Sequence, residues 1–141
     1  MRRVVITGIG LLTSIGNNKD ETWDNLINCK SGIKKINHFD VSDLPSKIAG
    51  YLNNNPDDEN YFNKSSLLEL RDIKRNDRFI QYGLIAAKMA VEDAGLYNLD
   101  ENKKLRVGVS VGSGIGGLET IYEGSLTINK ESKKLSPFFI P

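Results

Sequence analysis

The stretch Arg106–Leu118, RVGVSVGSGIGGL, constrains the fold of this chain more than any other segment. Its first half, Arg106–Val111, alternates valines with small residues, which predicts a short buried strand. Its second half has glycine at positions 112, 114, 116 and 117, and a loop without Cβ atoms there allows positive φ and close approach of another group. Leu118–Leu126 then resumes helical spacing. A strand, a glycine loop and a helix are predicted, an arrangement in which α/β proteins place binding sites.

The glycine loop also fits a dinucleotide-binding pattern, since Gly112–Gly117 satisfies G-x-G-x-x-G. That pattern needs a further strand with an acidic end about 20 residues later. The corresponding region is the polar run Asn129–Lys134, which disfavours a nucleotide site. A nucleophile elbow at Ser113 needs glycine where Val111 stands, so the serine is interpreted as a small turn residue.

The amino terminus predicts a second buried strand over Arg3–Ile9, because Val4, Val5 and Ile6 form a continuous apolar run. The basic start and the apolar run also resemble a signal peptide. Glycine and hydroxyl residues interrupt the run, however, and no A-x-A cleavage site follows, which favours the strand.

Two further helices are predicted, over Asn18–Lys30 and Asp77–Ala94. Asn18 suits an N-cap, Glu21 stands where a capping box places a carboxylate, and Gly32 suits a left-handed exit. The second helix has an apolar stripe and a separate side of small residues; the stripe is Ile80, Leu84, Ala87, Val91 and Ala94, and the small side is Gly83, Ala86, Ala87 and Ala90.

The remaining segments have weaker patterns. We expect irregular structure over Ile33–Gly50 with a short strand near Lys47–Leu52, a polar loop at Asn53–Asn60, helix over Tyr61–Leu70 and a surface loop at Leu96–Lys104.

Composition excludes several classes of function. A net charge of +1 is not that of a dedicated nucleic-acid binder. One cysteine, Cys29, forms no internal disulfide and fits a reducing compartment. Cys29 and the one histidine, His38, cannot supply a structural zinc site, so we expect no metal and interpret both residues as structural. No apolar run approaches the length of a membrane span.

Seven sequence blocks occur in an order that resembles the amino-terminal part of the β-ketoacyl-acyl-carrier-protein synthases, and within them the synthase II group. The blocks are RRVVITGIGLLTSIGN, the Thr22-Trp23 pair, SGI at 31–33, HFD at 38–40, FIQYGLIAA at 79–87, GSGIGGL at 112–118 and LSPFFIP at 135–141. The resemblance covers nearly the whole chain and is weak at about 53–70.

The resemblance implies an α/β fold of the thiolase-like type, with α-β-α-β-α layers, of which this chain is an incomplete portion with a mixed sheet and flanking helices. It implies a cytoplasmic homodimeric enzyme without cofactor that condenses an acyl thioester with malonyl-carrier protein in fatty-acid elongation. The implied partners are acyl- and malonyl-loaded carrier protein. The resemblance implies neither a nucleic-acid partner nor a membrane partner. The family's catalytic cysteine, two histidines and lysine match positions beyond Pro141. We therefore expect residues 1–141 to be a truncated amino-terminal part, with no catalytic residue and no activity alone.

The resemblance also assigns site residues. Ile115, with Gly114 beside it, matches a residue that borders and gates the acyl pocket, and isoleucine there favours synthase II. Phe139 matches an aromatic residue that lines the pocket of the neighbouring subunit. Basic residues match positions that dock the acidic carrier protein: Arg71, Lys74, Arg75, Lys133 and Lys134.

Three alternatives remain open. The chain could be part of a polyketide ketosynthase, which shares fold and chemistry. It could be a non-catalytic remnant that serves only binding or dimerisation. The third alternative is a fragment of a dinucleotide-binding oxidoreductase.

Overall fold

The computed structural model describes residues 2–52, 61–63, 67–129, 135 and 139 of the chain. The described residues form five α-helices, a two-stranded antiparallel sheet and one 3-10 turn, Leu96–Asn98. In chain order the helices and strands are α1 Lys19–Ile27, β1 Ile33–Lys35, β2 Ile48–Gly50, α2 Leu70–Arg75, α3 Arg78–Asp93, α4 Glu101–Lys104 and α5 Leu118–Asn129. None of the described helices is both long and apolar enough to cross a membrane.

Helix α3 lies at the centre of the packing. Its Ile85 is 1% exposed, and the buried Phe62 contacts Tyr82 edge-on with ring centroids 6.3 Å apart. The predicted bounds of this helix are confirmed, since Asp77 and Ala94 are its caps and Gly95 follows with φ +65°. The predicted stripe is rotated, however, because Leu84 is 43% exposed. Ile85 lies one residue, or about 100°, around the helix from that stripe.

The amino-terminal segment explains this rotation. Gly8 and Gly10 lie so close to α3 that a Cβ on Gly10 would stand 1.9 Å from the carbonyl oxygen of Ala86. A Cβ on Gly8 would stand 2.3 Å from the carbonyl oxygen of Ala90. Ala86 and Ala90 of the predicted small side therefore face the incoming chain, whereas Gly83 and Ala87 of that side are exposed. The amide of Ile9 also donates to the Asp93 carboxylate at 3.0 Å, which joins the segment to the end of α3.

The two predicted buried strands are wrong for this structure. Neither Arg3–Ile9 nor Arg106–Val111 pairs with another strand among the described residues, and Val4 and Val109 are almost fully exposed. Alternation and β-branching describe a backbone suited to a sheet, but a strand forms only where a partner supplies hydrogen bonds. The described sheet is instead the antiparallel pair β1–β2, with Lys34 opposite Ala49, rather than the expected mixed sheet.

Helix α1 follows its local signals closely. The Asn18 side chain accepts from the Glu21 amide at 2.9 Å, which confirms the N-cap. Glu21 reaches back to the amide of Asn17 at 2.7 Å. The left-handed residue at its exit is Cys29, with φ 56°, and not the predicted Gly32.

Three of the weaker predictions are settled by these bounds. The short strand near Lys47–Leu52 is confirmed as β2, whereas its partner β1 was not predicted. Described residues of the predicted helix Tyr61–Leu70 are not helical before Leu70, where α2 begins. The predicted loop Leu96–Lys104 instead contains the 3-10 turn and α4, which Asp100 caps through the Lys103 amide. Asn53–Asn60 lies outside the described residues.

Candidate functional site

The glycine loop is held against the start of α3 by hydrogen bonds from α5. The Thr120 amide donates to Asp77 Oδ2 at 3.1 Å, and the Thr120 hydroxyl donates to the same oxygen. Beside this pair, Arg78 Nη2 lies 2.5 Å from Glu119 Oε1. Both contacts join residues more than 40 positions apart, so the loop is anchored by tertiary contacts at its carboxyl side.

Two of the loop glycines are needed for this anchoring. Gly116 has φ +79°, a backbone conformation that side chains rarely adopt. A Cβ on Gly117 would stand 3.3 Å from Asp77 Oδ2, which is tighter than most real Cβ contacts, and 3.6 Å from Phe79, which is an ordinary contact. Glycine at these positions therefore lets the backbone turn and come close to Asp77 and Phe79.

The other half of the loop is open. Ile115 is 78% exposed, and a Cβ on Gly114 would meet no atom within 4 Å. A branched apolar side chain thus projects from a loop that is fixed on one side and unobstructed on the other. Plain core packing of Ile115, the alternative to a pocket role, does not occur among the described residues.

Phe139 packs elsewhere on α5. A Cβ on the buried Gly124 would stand 2.2 Å from Phe139 Cε2, so the ring lies directly on that glycine. Gly124 follows Leu118, the first residue of α5, by about 9 Å along the helix. Phe139 therefore packs at Gly124, within α5, whereas Ile115 precedes the first residue of that helix.

The first group of predicted basic residues lies on α2. Arg71, Lys74 and Arg75 are all exposed, and spacings of three and four residues put them on one side of the helix. We call these three residues the basic face. Lys133 and Lys134, the second predicted group, lie outside the described residues.

The electrostatics of Asp77 follow from its contacts. Partial burial of the carboxyl acts to raise its pKa, but the hydrogen bonds from the Thr120 hydroxyl and amide stabilise the charged form. The net result is a pKa below the ordinary value for aspartate. The carboxylate is therefore charged at neutral pH and holds the start of α5 to the start of α3.

We expect Thr120→Val to destabilise the chain by about 1 kcal/mol at pH 7, because it removes a hydrogen bond to a charged acceptor and keeps the side-chain shape. A depressed carboxyl pKa contributes stability above the unfolded pKa, and that stability is lost as the pH falls through the folded pKa. The difference in free energy of unfolding between the unaltered chain and Thr120→Val should therefore be largest above about pH 5 and decrease below about pH 4. Urea unfolding at several pH values measures it. Thr127→Val is the control, since among the described residues that hydroxyl bonds only to the Glu123 carbonyl within α5. A difference for Thr120→Val that does not change with pH would contradict the assignment.

A cleft of about 1310 Å³ lies between the β1–β2 hairpin and helices α3 and α5. Its lining includes His38, Tyr51, Tyr82 and Tyr122. The His38 ring contacts Phe39 and Tyr51 with centroids 4.9 Å from each. Cys29 is exposed just after α1, and no group of three or more potential metal ligands is found among the described residues.

Sequence reasoning missed the anchoring role of Asp77 and Thr120. Asp77 preceded a clear helix, which is a local signal for a cap. Its partner stands 43 residues later, and no spacing rule relates them.

Comparison with known proteins supports the sequence resemblance. The family model described as "Beta-ketoacyl synthase, N-terminal domain" matches residues 1–141. The 3-oxoacyl-acyl-carrier-protein synthase 2 of Vibrio cholerae is 43% identical over 141 residues, and that of Vibrio harveyi is 40% identical; each match covers 99% of this chain and 32% of the relative.

A solved structure, "The ishigamide ketosynthase/chain length factor", superposes with a TM-score of 0.72 at 28% identity, covering 98% of this chain and 33% of that one. The chain thus spans about a third of the length of the relatives that it matches. The match over the full length of the chain confirms the resemblance found in the sequence: the chain belongs to the β-ketoacyl synthase family and matches the amino-terminal part of its members.

Proposed function

We propose that this chain forms the amino-terminal part of a 3-oxoacyl-acyl-carrier-protein synthase II, a cytoplasmic enzyme of fatty-acid elongation. The enzyme transfers an acyl group from carrier protein to a cysteine thiolate, which releases the thiol of that carrier protein. It then decarboxylates malonyl-carrier protein and joins the resulting carbanion to the acyl carbonyl. The products are carbon dioxide and a 3-oxoacyl thioester, and the thiolate is released. The relatives at 40% and 43% identity support this assignment.

The observation that carries the proposal is the exposed Ile115 on a loop anchored by Asp77 and Thr120. A fixed base and an open tip let one side chain change rotamer without moving the helices. We propose that Ile115, with Gly114 beside it, forms a movable wall of the acyl pocket. In a homodimer, Phe139 lines the pocket of the second subunit.

The basic face on α2 is the proposed docking site for the acidic carrier protein, with Lys133 and Lys134 as a second contact. Exposed Lys and Arg side chains attract an acidic partner and orient it before short-range contacts form. No cofactor or metal takes part in the proposed reaction. The acyl-carrying cysteine and its supporting histidines and lysine belong to the part of the family fold that this chain does not span, so residues 1–141 alone should not catalyse condensation.

Enlarging Ile115 tests the pocket assignment. In a full-length synthase containing this segment, Ile115→Phe should lower the rate with acyl groups of eight or more carbons by about tenfold, because the larger ring fills the tunnel beyond the wall. Short acyl groups should be affected by less than about threefold. The measurement is kcat/KM for acyl-carrier substrates of increasing length.

Ile121→Phe is the matched control, since Ile121 is also exposed and lies in α5 outside the loop. Equal effects of Ile115→Phe on all acyl lengths would show that Ile115 does not border the tunnel.

A second candidate is a polyketide ketosynthase, which the likeness to the ishigamide ketosynthase/chain length factor favours. A full-length enzyme that extends β-keto intermediates faster than saturated acyl groups would support it over the fatty-acid role.

A further inference from the structure

The junction between α2 and α3 contains one buried amide side chain. Gln81 is 5% exposed, and its Nε2 donates to the carbonyl oxygens of Ile73 at 3.1 Å and Asn76 at 2.7 Å. Ile73 lies in α2, and Asn76 is the residue that ends it. The last carbonyls of a helix have no partner within the helix, so Gln81 satisfies two acceptors that α2 leaves unpaired.

The oxygen atom of the same amide determines how much Gln81 contributes to stability. Its Oε1 is buried and has no hydrogen-bond partner among the residues that the structure describes. The reverse orientation of the amide would place this oxygen against two carbonyl oxygens, so the two acceptors determine the orientation. A buried acceptor without a partner destabilises the fold, which offsets part of the gain from the two donors. Gln81 therefore contributes little to the net stability of the fold. Its main contribution is a specific connection between α2 and α3.

Helix α2 depends on such a connection. It has six residues, too few to be stable in isolation, and none of them is fully buried. Its N-cap position, Glu69, makes no side-chain capping hydrogen bond. The junction at its carboxyl end therefore helps to orient the basic face relative to α3, together with the bond from Lys88 Nζ to the Leu67 carbonyl at 3.4 Å.

We propose that Gln81 is a positioning residue for carrier-protein docking: it holds the end of α2 so that Arg71, Lys74 and Arg75 meet an acidic partner as one surface. This inference rests on the proposed docking function of α2. Gln81 does not touch the partner, and it acts through the two carbonyl groups of α2.

Gln81→Met tests this role, because methionine has nearly the same length and no donor. In the intact chain, the amides of Ile73 and Asn76 should exchange with solvent about tenfold faster, while amides in the middle of α3 exchange as before. The dissociation constant for purified acyl carrier protein, measured by fluorescence anisotropy, should rise about fivefold. A merely structural role would change exchange throughout α3 and leave the affinity of the folded molecules unaltered.

Glu92→Gln, an exposed change on the same helix, should alter neither readout. If Gln81→Met does not fold, Gln81→Asn provides the same comparison, because its amide is one methylene too short to reach both carbonyls. Unchanged α2 exchange and unchanged affinity in a folded variant would overturn the inference while the docking proposal stands. Absence of carrier binding by the unaltered chain would instead overturn the docking proposal, and with it the role of Gln81.

Discussion

Gly10→Ala should destabilise the chain by about 3 kcal/mol, the largest stability effect that we expect from a single methyl group. The added Cβ would stand 1.9 Å from the carbonyl oxygen of Ala86 and 2.8 Å from the amide nitrogen of Ala90. Both atoms belong to the backbone of α3 and cannot move without breaking helical hydrogen bonds. The amino-terminal segment must therefore leave the helix. Chemical denaturation followed by circular dichroism measures the loss.

Gly83→Ala is the matched control because it adds the same methyl group to α3 itself. A Cβ at Gly83 would meet no atom within 4 Å, and the residue lies in the helix interior. Alanine is a better helix former than glycine, so this variant should be stabilised by up to about 1 kcal/mol. Opposite signs for the two variants would confirm the packing of the segment on α3. An unchanged denaturation midpoint for Gly10→Ala would show that the segment does not lie there in solution.

Reversing two charges of the basic face should weaken carrier binding more than any other change considered. Lys74→Glu with Arg75→Glu replaces attraction to an acidic partner by repulsion, and we expect the dissociation constant to rise at least about thirtyfold at low salt. The effect should decline as ionic strength rises, because the screening length falls to about 10 Å at 0.1 M. Anisotropy titrations of labelled carrier protein at several salt concentrations measure both quantities.

The double variant Lys30→Glu with Lys35→Glu makes the same change in net charge at exposed positions outside α2. It should weaken binding by less than about threefold, through the overall field alone. Equal losses in the two double variants would show that the carrier protein responds to net charge and not to the basic face. Because Lys74 and Arg75 lie in the last turn of α2, where acidic residues oppose the helix dipole, the circular dichroism spectra of both double variants are compared with that of the unaltered chain.

Features that depend on neighbouring residues followed from the sequence. Asn18 caps α1 and Gly95 turns left-handed after α3 because each conformation is determined by the residue and its nearest neighbours. The bounds of α3 and the start of α5 were predicted for the same reason. The residue that turns left-handed after α1 was predicted wrongly, because Cys29 and not Gly32 has a positive φ. The helix ends earlier than predicted, and its end determines which residue takes the left-handed conformation.

The candidate site also has features that followed from the sequence and features that depend on tertiary contacts. The sequence by itself determined which residues are available: a branched Ile115 among glycines, three basic residues at helical spacing, and a set of motifs that places the chain in its family. Only the tertiary structure decided which of them act together. It joined Asp77 to Thr120 and Gln81 to the end of α2, and it placed Ala86 and Ala90 of α3 against Gly8 and Gly10. Helical periodicity and capping are short-range effects, whereas strand pairing and contacts between segments depend on which surfaces meet once the chain has folded.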